Sequence, residues 1–590
     1  MAFSRNGWPN AKRREKMEEK KLTGYPSIDK PWLKYYSEEA IRAPLPECTI
    51  YDYLWQSNNH NLSRTALIYF GRKISYQKLF DEINRAAGAF SALGIQAGDV
   101  VVIAAVTVPE IVYSLYALNR IGAISNFVDP RTSADGIRAY IKESNARFSI
   151  TLEPLCGKIL QAATGTDMQQ IITISPADSL PAIKRFLLKT SALLKSGNVN
   201  HDRNVLKWST IMRTYDTPKV IPPPYKRGNC SVIVHTGGTT GTPKGVMLSD
   251  DNLNAMVLNA KASEGGYESG NRFLNIMPPF IAYGLVNGIH MILSCGMENV
   301  LIPQFDPNGF DKLILKYKPT HILGVPTHYS QLFKSKLLQN ADLSFLKIAG
   351  VGGDQLSVDT EKQIETYLQD HQAHIPVATG YGMTEVSAAA CGYHRNAHRT
   401  GSVGIPFLNT TIRIVNPETL SELPYGEQGE ILISTPAAML QYDNNPAETN
   451  RTIISLPNGS RWVRSGDIGH MDVDGFLYID GRIKRIIIRH DGFKVFPAQI
   501  ENVIAMHPAV LACCAVGRND SSYSQGREPI VFVRLQGSCD KAGTKLELYK
   551  LCKRQLPEYA LPVEIRIINS IPQTAIGKID YAELERMAVE

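Results

Sequence analysis

No stretch of these 590 residues stays apolar and uncharged over the roughly 18–20 positions that a membrane-spanning helix needs. The N-terminal text, MAFSRNGWPNAKRREKMEEKK, is polar and has no apolar core of the kind a secretory signal carries. The nine cysteines are scattered, odd in number and never spaced CxxC. That pattern argues against a disulfide framework and against a zinc site, and for a reduced, cytoplasmic setting. Basic and aromatic residues do not interleave in a patch, so nucleic acid is not an expected partner. The net charge of +7 is a small excess over this length, compatible with anionic ligands but also with a solvated basic surface. Low-complexity tracts and internal repeats are absent as well.

What is present is the text of an ordinary globular protein, 44% apolar and 20% charged, too long for one hydrophobic core. Residues 1–45 read as a polar, basic lead, flexible or docked on the surface. DVVVIAAV (99–106) then reads as a buried strand, PEIVYSLYALNRIG (109–122) as a helix opening on proline and closing on glycine, and AISNFVDP (123–130) as the next strand. Strand, helix, strand in that order predicts a largely parallel sheet. A basic stretch, SLPAIKRFLLKTSALLKSG (179–197), fits a surface helix, and a helix of that charge is also suited to an anionic membrane face. HILGVPT (321–327) and LKIAGVGGD (346–354) resume the strand pattern, and GEQGEILI (426–433) begins a β-rich stretch. Beyond Arg482 the text changes to a compact α+β unit, long enough to fold alone. The expected architecture is α/β: a large domain over 46–482 with parallel layers and a β-rich part, then a small mobile domain over 483–590.

The stretch VHTGGTTGTPKGV (234–246) has the chemistry of a phosphate loop. Gly237, Gly238 and Gly241 let backbone N–H groups converge on an anion without Cβ clashes. Thr236, Thr239, Thr240 and Thr242 add hydroxyl donors, and Lys244 adds a charge. It is not a Walker loop, whose lysine opens directly into a helix. Here Val246, Met247 and Leu248 read as extended, and the next helix is predicted to start after Ser249 as N-cap. A mobile surface turn is the plain alternative for such a loop on its own.

Three further fragments stand in order behind it: YGMTE (381–385), SGDIGHMDVDGFLYIDGR (465–482) and PQTAIGKID (572–580). With the glycine-rich loop, they make the chain resemble the adenylate-forming superfamily from about residue 50 to 590. That superfamily, of AMP-dependent synthetases and ligases, takes in acyl- and aryl-CoA synthetases, firefly-type luciferases and nonribosomal peptide adenylation domains.

The resemblance implies that a carboxylate attacks the α-phosphate of ATP, pyrophosphate leaves, and the acyl-adenylate passes to a thiol. Two anions meet in that reaction, so cations and oriented donors must offset the repulsion. It further implies that the loop and Lys244 hold the departing phosphates, that Glu385 binds Mg²⁺, and that Thr384 serves the α-phosphate. Tyr381 would stack on adenine beside Gly382 and Met383, with Gly352, Gly353 and Asp354 along the purine edge. Asp467 would accept from the ribose, assisted by Arg482 and Ile479. Lys578 would bridge the carboxylate and the α-phosphate, making it, with Thr384 and Glu385, the catalytic set. Lys484 matches the family's hinge position, and Gly492 in HDGFKVFP (490–497) the place beside the pantetheine arm, in a segment slightly longer than usual. The acyl pocket would draw on Ile281, Tyr283, Gly284, Pro326, Thr327 and Gly350. Where many relatives carry a histidine, MPPFIAYGL (277–285) has Ile281, which fits an apolar acid. The text ends soon after Asp580 with no carrier domain, so the expected acceptor is free coenzyme A, a separate carrier protein being the alternative. A silent nucleotide- or acyl-binding sensor is the rival class, and the joint presence of Lys578, Glu385 and Asp467 speaks against it.

Overall fold

The structure is a computed structural model that describes residues 22–181, 204–214, 220–236, 243–353, 356–456, 458–491, 493–520, 522–523, 525–537, 540–573 and 579–589. Two large sheets form its body. Among the described residues, one has eight strands in the order Gln441–Tyr442, Gly245–Ser249, Cys230–His235, Ile124–Phe127, Val100–Ala104, Phe148–Leu152, Gln170–Ile174 and Val205–Lys207. From Cys230–His235 onward its neighbours pair in parallel, while the first two strands are antiparallel additions. In the other, of nine strands, Thr65–Tyr69, Glu298–Leu301, Arg272–Asn275, His321–Gly324, Ile348–Val351 and Val377–Tyr381 pair in parallel in that order.

A single apolar cluster takes Leu67 and Tyr69 from one sheet and Val101, Ile103, Val232 and Val234 from the other, with helices between them. The helix Pro109–Ile121 belongs to this layer. Every residue in it except Arg120 is buried, as a helix covered on all sides must be. It begins on Pro109, whose missing N–H costs nothing at a helix start, and ends on Gly122 in the left-handed conformation at φ 85°.

The expected β-rich part is an antiparallel sheet of Thr411–Val415, Gly429–Ser434, Arg461–Met471, Ile453–Ser455 and Leu477–Arg482. The described part of the lead docks on it. Trp32 is fully buried, and Tyr36 donates its hydroxyl to Pro406 O at 3.0 Å. Gly475, at φ +93°, leaves room for Trp32, since a Cβ there would lie 2.8 Å from the Trp32 nitrogen.

Past Arg482 the chain builds the smaller α+β unit. Val510–Asn519 pairs antiparallel with Arg527–Leu535, which pairs parallel with Glu564–Ile567. Helices Pro497–Ala505 and Lys541–Gln555 close one core and Tyr581–Val589 another. No helix among the described residues is long and apolar enough to cross a membrane. The basic stretch after Pro181 lies outside the described residues up to Asn204.

Candidate active site

The strands Cys230–His235 and Gly245–Ser249 are antiparallel neighbours, with His235 opposite Gly245. After Lys244 the chain therefore continues as a strand, whereas a Walker lysine opens directly into a helix. Ser249 then caps the helix Asp250–Ala262, accepting from Asn252 N while the Asn252 side chain accepts from Ser249 N. Gly237, Gly238, Thr239, Thr240, Gly241 and Thr242 lie outside the described residues. The neck of the loop is clasped from both sides. Thr236 N donates to Lys244 O at 3.0 Å, and Lys244 N donates to Thr236 Oγ1 at 3.1 Å.

Lys244 begins a chain of contacts towards the second motif. Its ammonium pairs with the Glu448 carboxylate and lies 5.0 Å from the centre of the Tyr442 ring. Tyr442 in turn donates its hydroxyl to Glu385 Oε1 at 2.6 Å. Glu385 is buried, and burial raises its pKa; the Tyr442 hydrogen bond and the Lys244 charge act the other way. Tyr442 and Glu448 were not anticipated from sequence.

The strand Val377–Tyr381 delivers the YGMTE residues to the rim of a cavity. Gly382 is packed so closely that a Cβ would lie 2.3 Å from Ala388 O, so only glycine fits. Thr384–Val386 forms a single 3-10 turn, followed by Ser387 and Ala388 at φ 54° and 92°. Backbone strain of this kind concentrates at functional sites. Tyr381 donates its hydroxyl to Asp467 Oδ2 at 2.7 Å, and Arg482 Nε lies 3.0 Å from Asp467 Oδ1. Asp467 and Arg482 are directly opposed across their antiparallel strands. Burial raises the Asp467 pKa and Arg482 lowers it, so the pair depends on its partner to stay charged. Ile479 packs in the same cluster as Tyr381 and Met383. Gly352 and Gly353 follow the carboxyl end of Ile348–Val351, where ligands of parallel sheets bind. Asp354 lies outside the described residues.

The cavity holds about 670 Å³. Ile281, Tyr283, Thr327 and Gly350 line it, as expected, and it runs on to Gly352, Gly353 and Tyr381 through Thr384. Gly284 and Pro326 do not line it, which corrects two of the pocket residues. Gly284 faces its own chain, where a Cβ would lie 1.8 Å from Pro278 O, and Pro326 is spent opening the helix Pro326–Leu332. Gly284 sits in Tyr283–Met291, a helix wound with i→i+5 bonds, so its faces do not follow the usual 3.6-residue period. Lining residues that sequence reasoning missed include Met256, Tyr267, Met291, Phe305 and His328. Burial lowers the His328 pKa to about 4 and raises those of Tyr267 and Tyr283, which keeps all three neutral. The arginine in the described lining, Arg131, pairs with Asp129 at 2.6 Å.

The small domain also reaches this cavity, through Gln573. Gln573 pairs with Ile579, and Lys578, between them in sequence, lies outside the described residues, as does Gly492. Lys484 is exposed in the 3-10 turn Ile483–Arg485.

A rim of carboxylates and cations beside a largely apolar cavity, lined from both the large and the small domain, is the arrangement an adenylate-forming ligase needs. Comparison with known proteins agrees. Residues 54–443 match the AMP-binding enzyme model and residues 499–578 the AMP-binding enzyme C-terminal domain. The chain belongs to the AMP-binding enzyme family. It is an enzyme of the AMP-forming acyl-CoA synthetase type. A long-chain-fatty-acid–CoA ligase of Bacillus subtilis is 31% identical over 562 residues, covering 93% of this chain and 96% of its own. A 4-coumarate–CoA ligase-like protein of Arabidopsis thaliana is 30% identical, covering 89% and 88%. Among solved structures, ATP-bound MatB from Rhodopseudomonas palustris superposes with a TM-score of 0.78 at 21% identity, covering 92% and 99%. A benzoate CoA ligase from Burkholderia xenovorans gives 0.77 at 20% identity, covering 91% and 100%. At these identities the structures speak for the fold.

Proposed function

We propose that the acid has an apolar body, aliphatic or aryl, and that the acceptor is free coenzyme A rather than a carrier protein. The observation that carries the substrate reading is the cavity. Its described lining is largely apolar or neutral, and its arginine is already paired. A second charge on the acid would be buried there without a partner, at a cost of several kcal/mol. An apolar body gains about 0.8 kcal/mol per buried methylene, roughly fourfold in affinity. The fatty-acid and coumarate specificities in the names of the relatives above point the same way.

In this reading Lys244 and the loop it closes grip the β- and γ-phosphates. Tyr381 stacks on adenine, and Asp467, held by Arg482, takes the ribose hydroxyls. Glu385 fits Mg²⁺: its carboxylate is buried, hydrogen-bonded by Tyr442, and lacks a full counter-charge of its own. Bound Mg²⁺ would neutralise phosphate charge. Lys578 would supply the ammonium that offsets the charge of the two reacting anions. Gly492 and Lys484 serve the thiol step, as pantetheine contact and pivot.

Pyrophosphate release, measured with a panel of carboxylic acids with and without coenzyme A, tests the reading. Monocarboxylic acids with long alkyl or aryl bodies should give release and, with coenzyme A, a thioester. A preference for dicarboxylic or short polar acids would overturn the substrate assignment. Release without thioester would favour a carrier protein. Lys578→Ala should slow acid-dependent ATP–pyrophosphate exchange by about 10²–10³-fold, as for one lost oxyanion donor. Unchanged exchange would remove Lys578 from the chemistry.

A further inference from the structure

Away from the cavity, three side chains converge that the reaction does not use. Glu361 and Glu365 stand one turn apart on the helix Val358–Asp370, so they share a face. Each carboxylate is held by a backbone N–H of another segment. Glu361 Oε2 accepts from Gly401 N at 2.8 Å, and Glu365 Oε1 accepts from Val377 N at 3.1 Å. His398 arrives from the chain between Gly392 and Ile405, with Nε2 at 3.6 Å from Glu361 Oε1 and 3.3 Å from Glu365 Oε1. One ligand atom from each residue lies within 4.8 Å of the others.

Two observations separate this cluster from an ordinary ion pair. A charge-assisted N–H···O bond closes to about 2.7–2.9 Å, and neither contact does so. Zinc bonds to nitrogen and carboxylate oxygen measure about 2.0–2.2 Å, which sets neighbouring ligands of a tetrahedral ion roughly 3.3–3.6 Å apart. The contacts here have that spacing. Second, Glu361 Oε1 is aimed into the cluster, finds no hydrogen-bond partner, and belongs to a side chain only 1% exposed. A buried carboxylate oxygen left in that state is costly, and a cation would satisfy it.

We propose that Glu361, Glu365 and His398 bind a divalent first-row cation, with Zn²⁺ the best match to one imidazole and two carboxylates. The cysteine spacing argued against zinc, but this ligand set needs no cysteine. The His398 side chain is 27% exposed, which leaves a route in for the ion and a fourth position for water. The ion would fasten the 393–404 segment to the helix. It would also stiffen the strand Val377–Tyr381, because Glu365 holds Val377 N and Thr379 donates its hydroxyl to Ser402 O at 3.0 Å. The clip is structural and needs neither nucleotide nor acid.

The test uses the full chain, stripped with a chelator and titrated calorimetrically with Zn²⁺ under excess Mg²⁺. Cysteines that bind Zn²⁺ adventitiously are the same in wild type and variants, so the difference between them is read. Wild type should take up one more equivalent than His398→Ala, and Zn²⁺ should raise the Tm of wild type but not of the variant. Glu365→Gln, on the other element, should weaken the same site at least tenfold and supplies the comparison if His398→Ala fails to fold. Co²⁺ in place of Zn²⁺ should give the intense visible bands of four-coordinate cobalt in wild type alone. Equal uptake and equal Tm response in wild type and variants would show that His398 is simply a cation between two carboxylates, and the proposal would fall.

Discussion

Tyr442 donates to Glu385 at 2.6 Å while the Lys244 ammonium lies over its ring, so one side chain meets both Lys244 and the candidate Mg²⁺ carboxylate. A hydrogen bond to a charged group contributes about 1.5–3 kcal/mol. Tyr442→Phe keeps the ring and removes the donor. It should weaken the use of Mg²⁺ and ATP about tenfold, seen as a higher Mg²⁺ requirement in ATP–pyrophosphate exchange. Circular dichroism and Tm should stay close to wild type; an unchanged Mg²⁺ requirement would reduce Tyr442 to packing. Lys244 stood out in a glycine-rich loop with a chemical logic of its own, and Tyr381, Glu385, Asp467 and Arg482 were picked out through the family resemblance. Tyr442 was not. It lies 57 residues from Glu385, on a strand of only two residues, Gln441–Tyr442, that is too short to leave a pattern.

At the scale of elements, the helix Pro109–Ile121 was readable from its ends, proline at the start and glycine at the close. Its burial on every side was not, since that depends on a second sheet arriving from far along the chain. Glu110 shows the consequence. It is 3% exposed in the first turn, accepts from Ser179 Oγ at 2.5 Å, and burial lifts its pKa to about 7. A free glutamate titrates near 4.3. Between those values the folded chain holds a proton that the unfolded chain has lost, so stability falls as pH rises through that window. The stabilising share is complete below about 4.3 and is lost as the pH passes about 7. Glu110→Gln should remove this dependence. Relative to wild type the variant should gain stability between pH 5 and pH 8, by up to about 3 kcal/mol for a shift of this size. Denaturant unfolding at the two pH values measures it, and a constant difference would mean that Glu110 does not titrate there. Of the pocket residues expected through the resemblance, Gly284 misses the cavity: its helix is wound with i→i+5 bonds and packs that position against Pro278.

For the whole molecule, the telling feature is how the small domain joins the large one. Gln573 lines the cavity, so the small domain reaches it within the described residues. Lys494 meets Glu418 across the domains at 3.6 Å, but both side chains are more than half exposed, so that pair adds little. At the junction, Arg482 is tied to Asp467 in the large domain. Arg485 is tied to Glu501 at 2.6 Å and lies 3.9 Å from the centre of the Tyr581 ring in the small one. Between these anchors stand Ile483 and Lys484, a short span able to absorb a large change in backbone angles, as a hinge does. The resemblance implies a hinge at Lys484, and the anchors on either side would give one a mechanical reason. If one site serves both half-reactions, holding the small domain in the arrangement seen here should permit the first and block the second. Glu418→Cys and Lys494→Cys together, joined by a short cross-linker that contains a disulfide, make that lock. The cross-linked enzyme should retain acid-dependent ATP–pyrophosphate exchange within about twofold and lose at least tenfold in thioester formation. Reducing the linker should restore the thioester, which separates locking from damage. Thioester formation that survives the lock would mean that coenzyme A reaches the adenylate without the small domain turning, and Lys484 would be an ordinary surface lysine.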